Sequence, residues 1–247
     1  MTEPESSTTG VNAVNRAFDI LTVLAHGTGQ SRIGDIANET RLPQPTVHRL
    51  LKTLEALGQV RQLDSKQYAL GAGLMSLGEA ATRQFGASAR PQLESLADAL
   101  YESVNFAVLD SDMALYISQA SCQRAMRMFV EVGKHVPLHN TGVGKALLSQ
   151  LDAERVKAIV ARTGLPGATE HSIQTFDELT EELDRIRSRG YAIDEEEQEI
   201  GVRCLAVPVP GTVIPSALSI SGPVARMTND FESRAAPLLQ NAALAIA

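Results

Sequence analysis

Gly142-Val143-Gly144-Lys145 has the look of a loop that cradles phosphate. A phosphate loop of that type needs glycine at 139 and a hydroxyl residue at 146. The chain has His139 and Ala146 there, so nucleotide hydrolysis is set aside. Two readings remain: a helix start whose free N–H groups hold an anion, or a plain glycine-rich helix start. His135 and His139 are four apart, but Pro137 breaks any shared helix face and no third ligand lies near in sequence, so no metal site is expected. Cys204 sits in an apolar stretch with no base beside it and reads as a buried thiol. Asp194-Glu195-Glu196-Glu197 reads mostly as a solvated loop. Its first member closes the strand-like Tyr191-Ala192-Ile193 and can point inward. Ser219 and Ser221 share one strand face, where their hydroxyls either bind a ligand or satisfy backbone groups.

A different chemistry lies near the start of the chain. Val47, Leu50, Leu51, Leu54 and Leu57 form the apolar stripe of a helix opened by Gln44 and Pro45 and stopped by Gly58. Thr46, His48, Arg49, Lys52 and Thr53 lie off that stripe. Hydroxyl, imidazole, guanidinium and ammonium groups on one exposed face suit base edges and phosphates. Glu55 is the helix's one acid and lies far from its N-terminal end.

Three further elements surround this helix. Val11, Val14, Phe18 and Leu21 recur at helical spacing, and Gly27 and Gly29 end that first helix. Ser31 is placed to cap a short second helix, and Arg41-Leu42-Pro43 forms the turn. Val60-Arg61-Gln62 and Gln67-Tyr68-Ala69-Leu70 read as a hairpin. Helix, tight turn, helix and hairpin make a winged helix-turn-helix. The plain alternative is a small helical subdomain that meets no nucleic acid.

Downstream, Leu74, Leu77, Ala81 and Phe85 mark a linker helix, and Pro91 opens another through Leu100. Strands are expected at 104–109, 114–117 and 126–129. Helices follow at 143–151, 153–162 and 176–189, then strands at 191–194, 203–208 and 216–221, and a closing helix over 229–247. This order gives an α+β domain on one antiparallel sheet.

Composition agrees with a globular protein and excludes collagen, disorder and a disulfide scaffold. The 247 residues are 44% hydrophobic and 21% charged, enough for one large domain or two smaller ones. Cys122 and Cys204 cannot staple a fold this size and suit a reducing cytoplasm. The net charge of −7 argues against wholesale coating of nucleic acid. Its distribution is uneven. Residues 10–75 carry seven basic groups against five acidic ones, whereas 76–247 carry 15 against 22. A slightly basic head on an acidic body fits a local polyanion contact. The opening MTEPESSTTG lacks the plan of a signal peptide, and the uncharged run 204–225 is broken by four prolines, so no membrane span is expected.

Taken together, the chain resembles the isocitrate lyase regulator (IclR) family of bacterial transcription factors. The likeness rests on Val14-Asn15-Arg16-Ala17, on Leu42-Pro43-Gln44-Pro45-Thr46-Val47-His48-Arg49-Leu50-Leu51, and on four later blocks. These are Pro137-Leu138-His139 with Gly142-Val143-Gly144-Lys145-Ala146, then Gly190 to Glu197, then Gly201-Val202-Arg203-Cys204, then Ser219-Ile220-Ser221-Gly222-Pro223. The resemblance implies a GAF-like C-terminal domain that binds a small organic acid or aromatic metabolite, and dimers, often paired into tetramers. It places effector contacts on the Gly142 and Val143 backbone, Asp194, Cys204, Ser219 and Ser221. The family's recognition helix often opens with lysine and serine; here Gln44 and Pro45 stand instead, which removes a phosphate charge.

The expectation is therefore a cytoplasmic, ligand-responsive repressor on a near-palindromic DNA operator, with no catalytic residues, cofactor or metal. Its divisions are a winged helix-turn-helix domain over 10–72, a linker helix over 73–87 and an effector domain over 88–247. Expected DNA contacts are Arg32, Gln44, Pro45, Thr46, His48, Arg49, Lys52, Thr53 and Lys66. The alternative is a small-molecule sensor whose head only dimerises. An enzyme built on Cys204 and the Asp194–Glu197 carboxylates ranks third, since it lacks a base or metal set.

Overall fold

A computed structural model of the chain describes residues 11–25, 29–86, 89–125 and 127–246. The opening segment, Gly27 and Met126 lie outside these. The chain divides into two compact units, one through Ala81 and one from Thr82.

In the first unit, α1 (Asn12–Ala25), α2 (Ile33–Thr40) and α3 (Gln44–Ala56) are followed by the hairpin β2 (Val60–Gln62) and β3 (Tyr68–Leu70). Ile20, Leu24, Ile36, Val47, Leu51, Val60 and Tyr68 fill the core between them. Arg41 adopts the left-handed conformation at φ 55° and closes α2, which turns the chain into α3 within three residues. Pro45 sits in the first turn of α3, where a missing N–H costs nothing.

Three expectations fail here. Ser31 does not cap α2, because it belongs to a two-residue strand, β1 (Gln30–Ser31), paired with Tyr68 on β3; the cap position is Arg32, with no side-chain bond. The first-helix stripe faces outward: Val11, Val14 and Phe18 are 71%, 51% and 64% exposed, while Ile20 and Leu24 are buried. Leu57 is exposed as well, since α3 has already ended at Ala56.

The helix α4 (Gly73–Gly86) runs across the division between the units. The second unit then follows as α5 (Arg90–Leu100), β4 (Ser103–Asp110), β5 (Met113–Ala120), β6 (His135–Val136), α6 (Gly142–Leu148), α7 (Ala153–Thr163), α8 (Phe176–Arg189), β7 (Ala192–Glu195), β8 (Val202–Val209), β9 (Ser216–Pro223) and α9 (Asn229–Ile246). The six strands form one antiparallel sheet in the order β6-β5-β4-β9-β8-β7. The protein is α+β.

The sheet is covered on both faces, so its central strands are buried along nearly their whole length rather than alternating buried with exposed residues. Val104, Phe106, Val207, Leu218 and Ile220 pack with residues of α5 and α9. Ala107, Ala192, Ala206 and Ala217 pack with Val143, Leu147, Leu179 and Leu183 of α6 and α8. Four small side chains on that inner face let α6 approach the strands closely. The strand expected at 126–129 is absent: residues 127–130 have no regular structure, and the sheet edge is instead β6, paired to Ala114 and Leu115. Helix α6 stops at Leu148, three residues early.

Register carries one irregularity. Asn105 pairs with Gln119 and Phe106 with Ser118, but Ala107 pairs with Tyr116. Ile117 is the extra residue of a β-bulge. Without it Ile117 would oppose Ala107 on the inner face; with it Tyr116 takes that place and Ile117 joins the outer core.

Candidate functional site

The first unit offers a surface. Along α3, Gln44, Pro45, His48, Arg49, Lys52 and Thr53 are exposed and Thr46 is half-buried, opposite the buried Val47, Leu51 and Leu54. Arg32 is exposed at the start of α2, and Lys66 is exposed in the turn of the hairpin at φ 63°. Two of these groups have local partners. Lys52 Nζ donates to Glu55 Oε2 at 2.8 Å, and the Thr53 hydroxyl donates to the Arg49 carbonyl at 3.1 Å. The Lys52 pair is exposed, so it is a weak bond that a phosphate can displace.

The second unit offers a cavity of about 160 Å³ on the inner face of the sheet. Antiparallel register lines up Asp194, Cys204 and Ser221 across β7, β8 and β9. All three line the cavity, with Thr141 and Gly142 from the start of α6. Tyr116, Met128, Phe129, Val130 and Val136 form an apolar wall, and Lys134, Gln198, Glu199 and Val202 complete the lining. Gly142 cannot carry a side chain: a Cβ there would lie 2.8 Å from Cys204 Sγ. Thr141 caps α6 by accepting from the Gly144 N–H at 3.1 Å, and its hydroxyl donates to the Pro137 carbonyl at 2.7 Å. The first helical N–H groups, of Gly142 and Val143, have no acceptor within their own helix.

Burial sets the protonation of this cavity. It pushes the Asp194 carboxyl up to about 7, against the pull of its hydrogen bond from the Glu197 N–H at 2.7 Å. Burial and then the charge of Asp194 push the Cys204 thiol up to about 12, against the smaller pull of the nearby Ser221 and Ser219 hydroxyls, so the thiol stays protonated. Burial likewise raises the Tyr116 phenol above its ordinary value, with the charges of Cys204 and Asp194 adding to it. At neutral pH the thiol and the phenol are thus protonated and able to donate, and the Asp194 carboxyl holds its proton about half the time.

Behind it lies a buried ion pair. Lys145 of α6, almost fully buried, donates to Glu197 and lies 4.0 Å from Glu182 of α8. The Ser172 hydroxyl donates to the Glu197 carbonyl at 2.5 Å and Thr169 to the Glu196 carbonyl at 2.7 Å. The loop after Asp194 is therefore tied to both α6 and the 169–172 turn. Glu197 is buried, not solvated as the charge run suggested. The two histidines have separate partners: His135 pairs with Asp110 at 2.7 Å, and His139 with the Pro166 carbonyl at 3.0 Å. Among the described residues no His, Cys, Asp and Glu cluster could hold a metal.

Of the six residues carried over by resemblance, Gly142, Asp194, Cys204 and Ser221 line the cavity, while Val143 and Ser219 are fully buried behind that lining. Ser219 Oγ, with Ser103 Oγ and Asn105 Nδ2 on neighbouring β4, has no well-formed hydrogen bond. Sequence reasoning missed Tyr116, Thr141 and the 128–130 wall. Thr141 alone had a usable signal, a hydroxyl residue directly before a glycine-rich helix start.

Comparison with known proteins gives matches over both units. A family model described as the bacterial transcriptional regulator IclR C-terminal domain matches residues 81–247, and one described as the IclR helix-turn-helix domain matches 13–64. The transcriptional repressor IclR of Escherichia coli K12 is 36% identical over 227 residues, which covers 89% of this chain and 83% of that one. The HTH-type transcriptional regulator KdgR of Dickeya chrysanthemi is 36% identical over 242 residues, covering 94% and 78%. The solved IclR transcriptional regulator from Alicyclobacillus acidocaldarius superposes with a TM-score of 0.84 at 26% identity, covering 96% of this chain and 98% of that one.

Proposed function

The chain belongs to the IclR family of bacterial transcriptional regulators, and on that premise we propose that it is a cytoplasmic repressor whose hold on a near-palindromic operator is set by a small organic acid or aromatic metabolite. The observation that carries the reading is the exposed polar row of α3 opposite its buried stripe. That row enters the major groove through Gln44, Thr46, His48 and Arg49; Lys52, Lys66 and Arg32 meet phosphates. The residues 10–72 act as the DNA-binding domain, 73–87 as linker and 88–247 as effector domain. Effector contacts come from the Gly142 and Val143 N–H groups, Asp194, Cys204 and Ser221, with Ser219 behind them.

The protein acts by binding and not by turnover. A thiol held near 12 is a poor nucleophile, and no base pairs with Cys204 among the described residues. One head with so small a positive charge makes few phosphate contacts, so the active species is a dimer, paired further into a tetramer. The outward stripe of Val14 and Phe18 on α1 and Val11 just before it, with exposed Met75 and Leu77 on α4, supplies apolar surface for that contact.

Gel shifts on the chain's own upstream DNA test the reading. Arg49→Ala should cost roughly 1–3 kcal/mol on the operator, and Lys52→Ala should weaken all sequences alike and flatten the salt slope by about one. Unchanged affinity in both variants sinks the DNA assignment. A monomer in sedimentation at micromolar concentration sinks the dimer.

A further inference from the structure

The bulge in β5 shapes the cavity. It costs the sheet a regular ladder step and exchanges an isoleucine for a tyrosine on the face that carries Asp194, Cys204 and Ser221. An apolar side chain would have closed that face at no polar cost. Tyr116 is instead 7% exposed and lines the cavity, and its hydroxyl makes no hydrogen bond with any described residue. The phenol faces the cavity, so among the described residues nothing competes with a bound molecule for its proton, and in an empty cavity water must take that place. A ligand atom in the cavity takes it instead.

Resting on the effector-pocket reading above, we infer that Tyr116 is a specificity-determining effector contact, and that the ligand it selects is a small monocarboxylic acid with an apolar body about the size of one ring. Size comes from the cavity, which at about 160 Å³ matches the scale at which a protein cavity of roughly 150 Å³ takes up benzene. The apolar body comes from the wall of Met128, Phe129, Val130 and Val136. The acid comes from the donors. Tyr116 hydroxyl, Ser221 hydroxyl and Cys204 thiol all carry a proton, and the raised Asp194 carboxyl carries one about half the time at neutral pH. Four such groups at one end satisfy the several lone pairs of a carboxylate, whereas a neutral amide would bring its own donors against them. A second carboxylate has no buried cation to meet, since Lys145 is already taken by Glu197 and Lys134 is exposed.

The chain has four tyrosines and no tryptophan, so ultraviolet difference absorption reads tyrosine environments directly. Full-length protein is titrated with benzoate, with its neutral isostere benzamide, and with succinate; Tyr116→Phe and Ser221→Ala are titrated beside the wild type. Tyr116→Phe keeps the ring and removes only the hydroxyl. Benzoate should bind the wild type better than either other probe and perturb the tyrosine spectrum. Tyr116→Phe should lose that signal and bind benzoate about tenfold more weakly in calorimetry, the scale of a hydrogen bond to a charged group. Equal benzoate affinity in Tyr116→Phe and wild type overturns the role of Tyr116; if Ser221→Ala still weakens binding, the pocket reading stands without it. Benzoate binding that neither substitution touches takes down the pocket reading as well. No benzoate binding to the wild type, or binding no tighter than benzamide or succinate, overturns the ligand class.

Discussion

Asp194→Asn should make the protein more stable at pH 8 than the wild type, and about equal to it at pH 4. The Asp194 carboxyl has an ordinary value of 3.8 and rises to about 7 in the fold. Below 3.8 both the folded and the unfolded chain hold the proton, and the group contributes no difference. Between those values the unfolded chain releases a proton that the folded chain keeps, so stability falls as pH rises. Above 7 both states are ionised and the full cost is present. The rise from 3.8 to about 7 corresponds to roughly 4 kcal/mol, a ceiling because a buried site relaxes around its charge. Asparagine carries no such cost. Its Oδ1 can still accept the Glu197 N–H that Asp194 accepts at 2.7 Å, and its amide takes the place of the protonated oxygen. Glu197, also raised by burial, titrates in both proteins, so the difference between them isolates Asp194. Urea unfolding of both proteins at pH 4.5 and pH 8 reads it out. The variant's advantage should grow by about 2–4 kcal/mol over that interval. A difference between the two proteins that stays constant with pH refutes the reasoning, because Asp194 then ionises in the fold as it does in water. Ionised Asp194 would repel an acid in the cavity that it lines. Effector affinity for an acid should accordingly strengthen as pH falls toward 6.

Two further substitutions probe what holds the cavity in place. Lys145→Met strands Glu197 beside Glu182 in the interior, so thermal unfolding should show a loss of about 3–5 kcal/mol, most of it recovered in Lys145→Met/Glu197→Leu; an unchanged melting temperature in the single variant contradicts the buried pair. Gly144→Ala drives a methyl into the Leu138 backbone and should cost about 1–3 kcal/mol or more, while Gly78→Ala, with open space around it on α4, should gain about 0.5–1 kcal/mol; the opposite order in calorimetry would refute the packing of α6 against Leu138.

How legible each part was in the sequence follows from regularity. The helix-turn-helix was readable because its signals are local: Pro45 at a helix start, Gly58 at its end, and a leucine stripe between them. The first helix misled because it carries two apolar stripes at the same period. Val11, Val14 and Phe18 form one, Ile20 and Leu24 lie on the other, and periodicity cannot say which meets the core. The strands β1 and β6 have two residues each, too short for any alternation to register. The Met-Arg-Met-Phe run alternates like a strand, yet Met128 and Phe129 face a cavity and have no ladder to join.

The cavity divides along the same line. Asp194, Cys204 and Ser221 come from strands in unbroken register, so a shared face is what simple counting gives once the strands are paired. Gly142 shows itself by its glycine spacing. Tyr116 shows itself by nothing in the chain. In Ala114-Leu115-Tyr116-Ile117 the period of two is intact, and the inserted residue exists only relative to β4. One residue of slip exchanges every side chain beyond it between the two faces. On a sheet covered on both sides either choice buries an apolar or aromatic group, so hydrophobicity cannot decide between Tyr116 and Ile117. Only the hydroxyl differs, and it is at this bulge that the sheet turns a hydrogen-bonding group into the cavity.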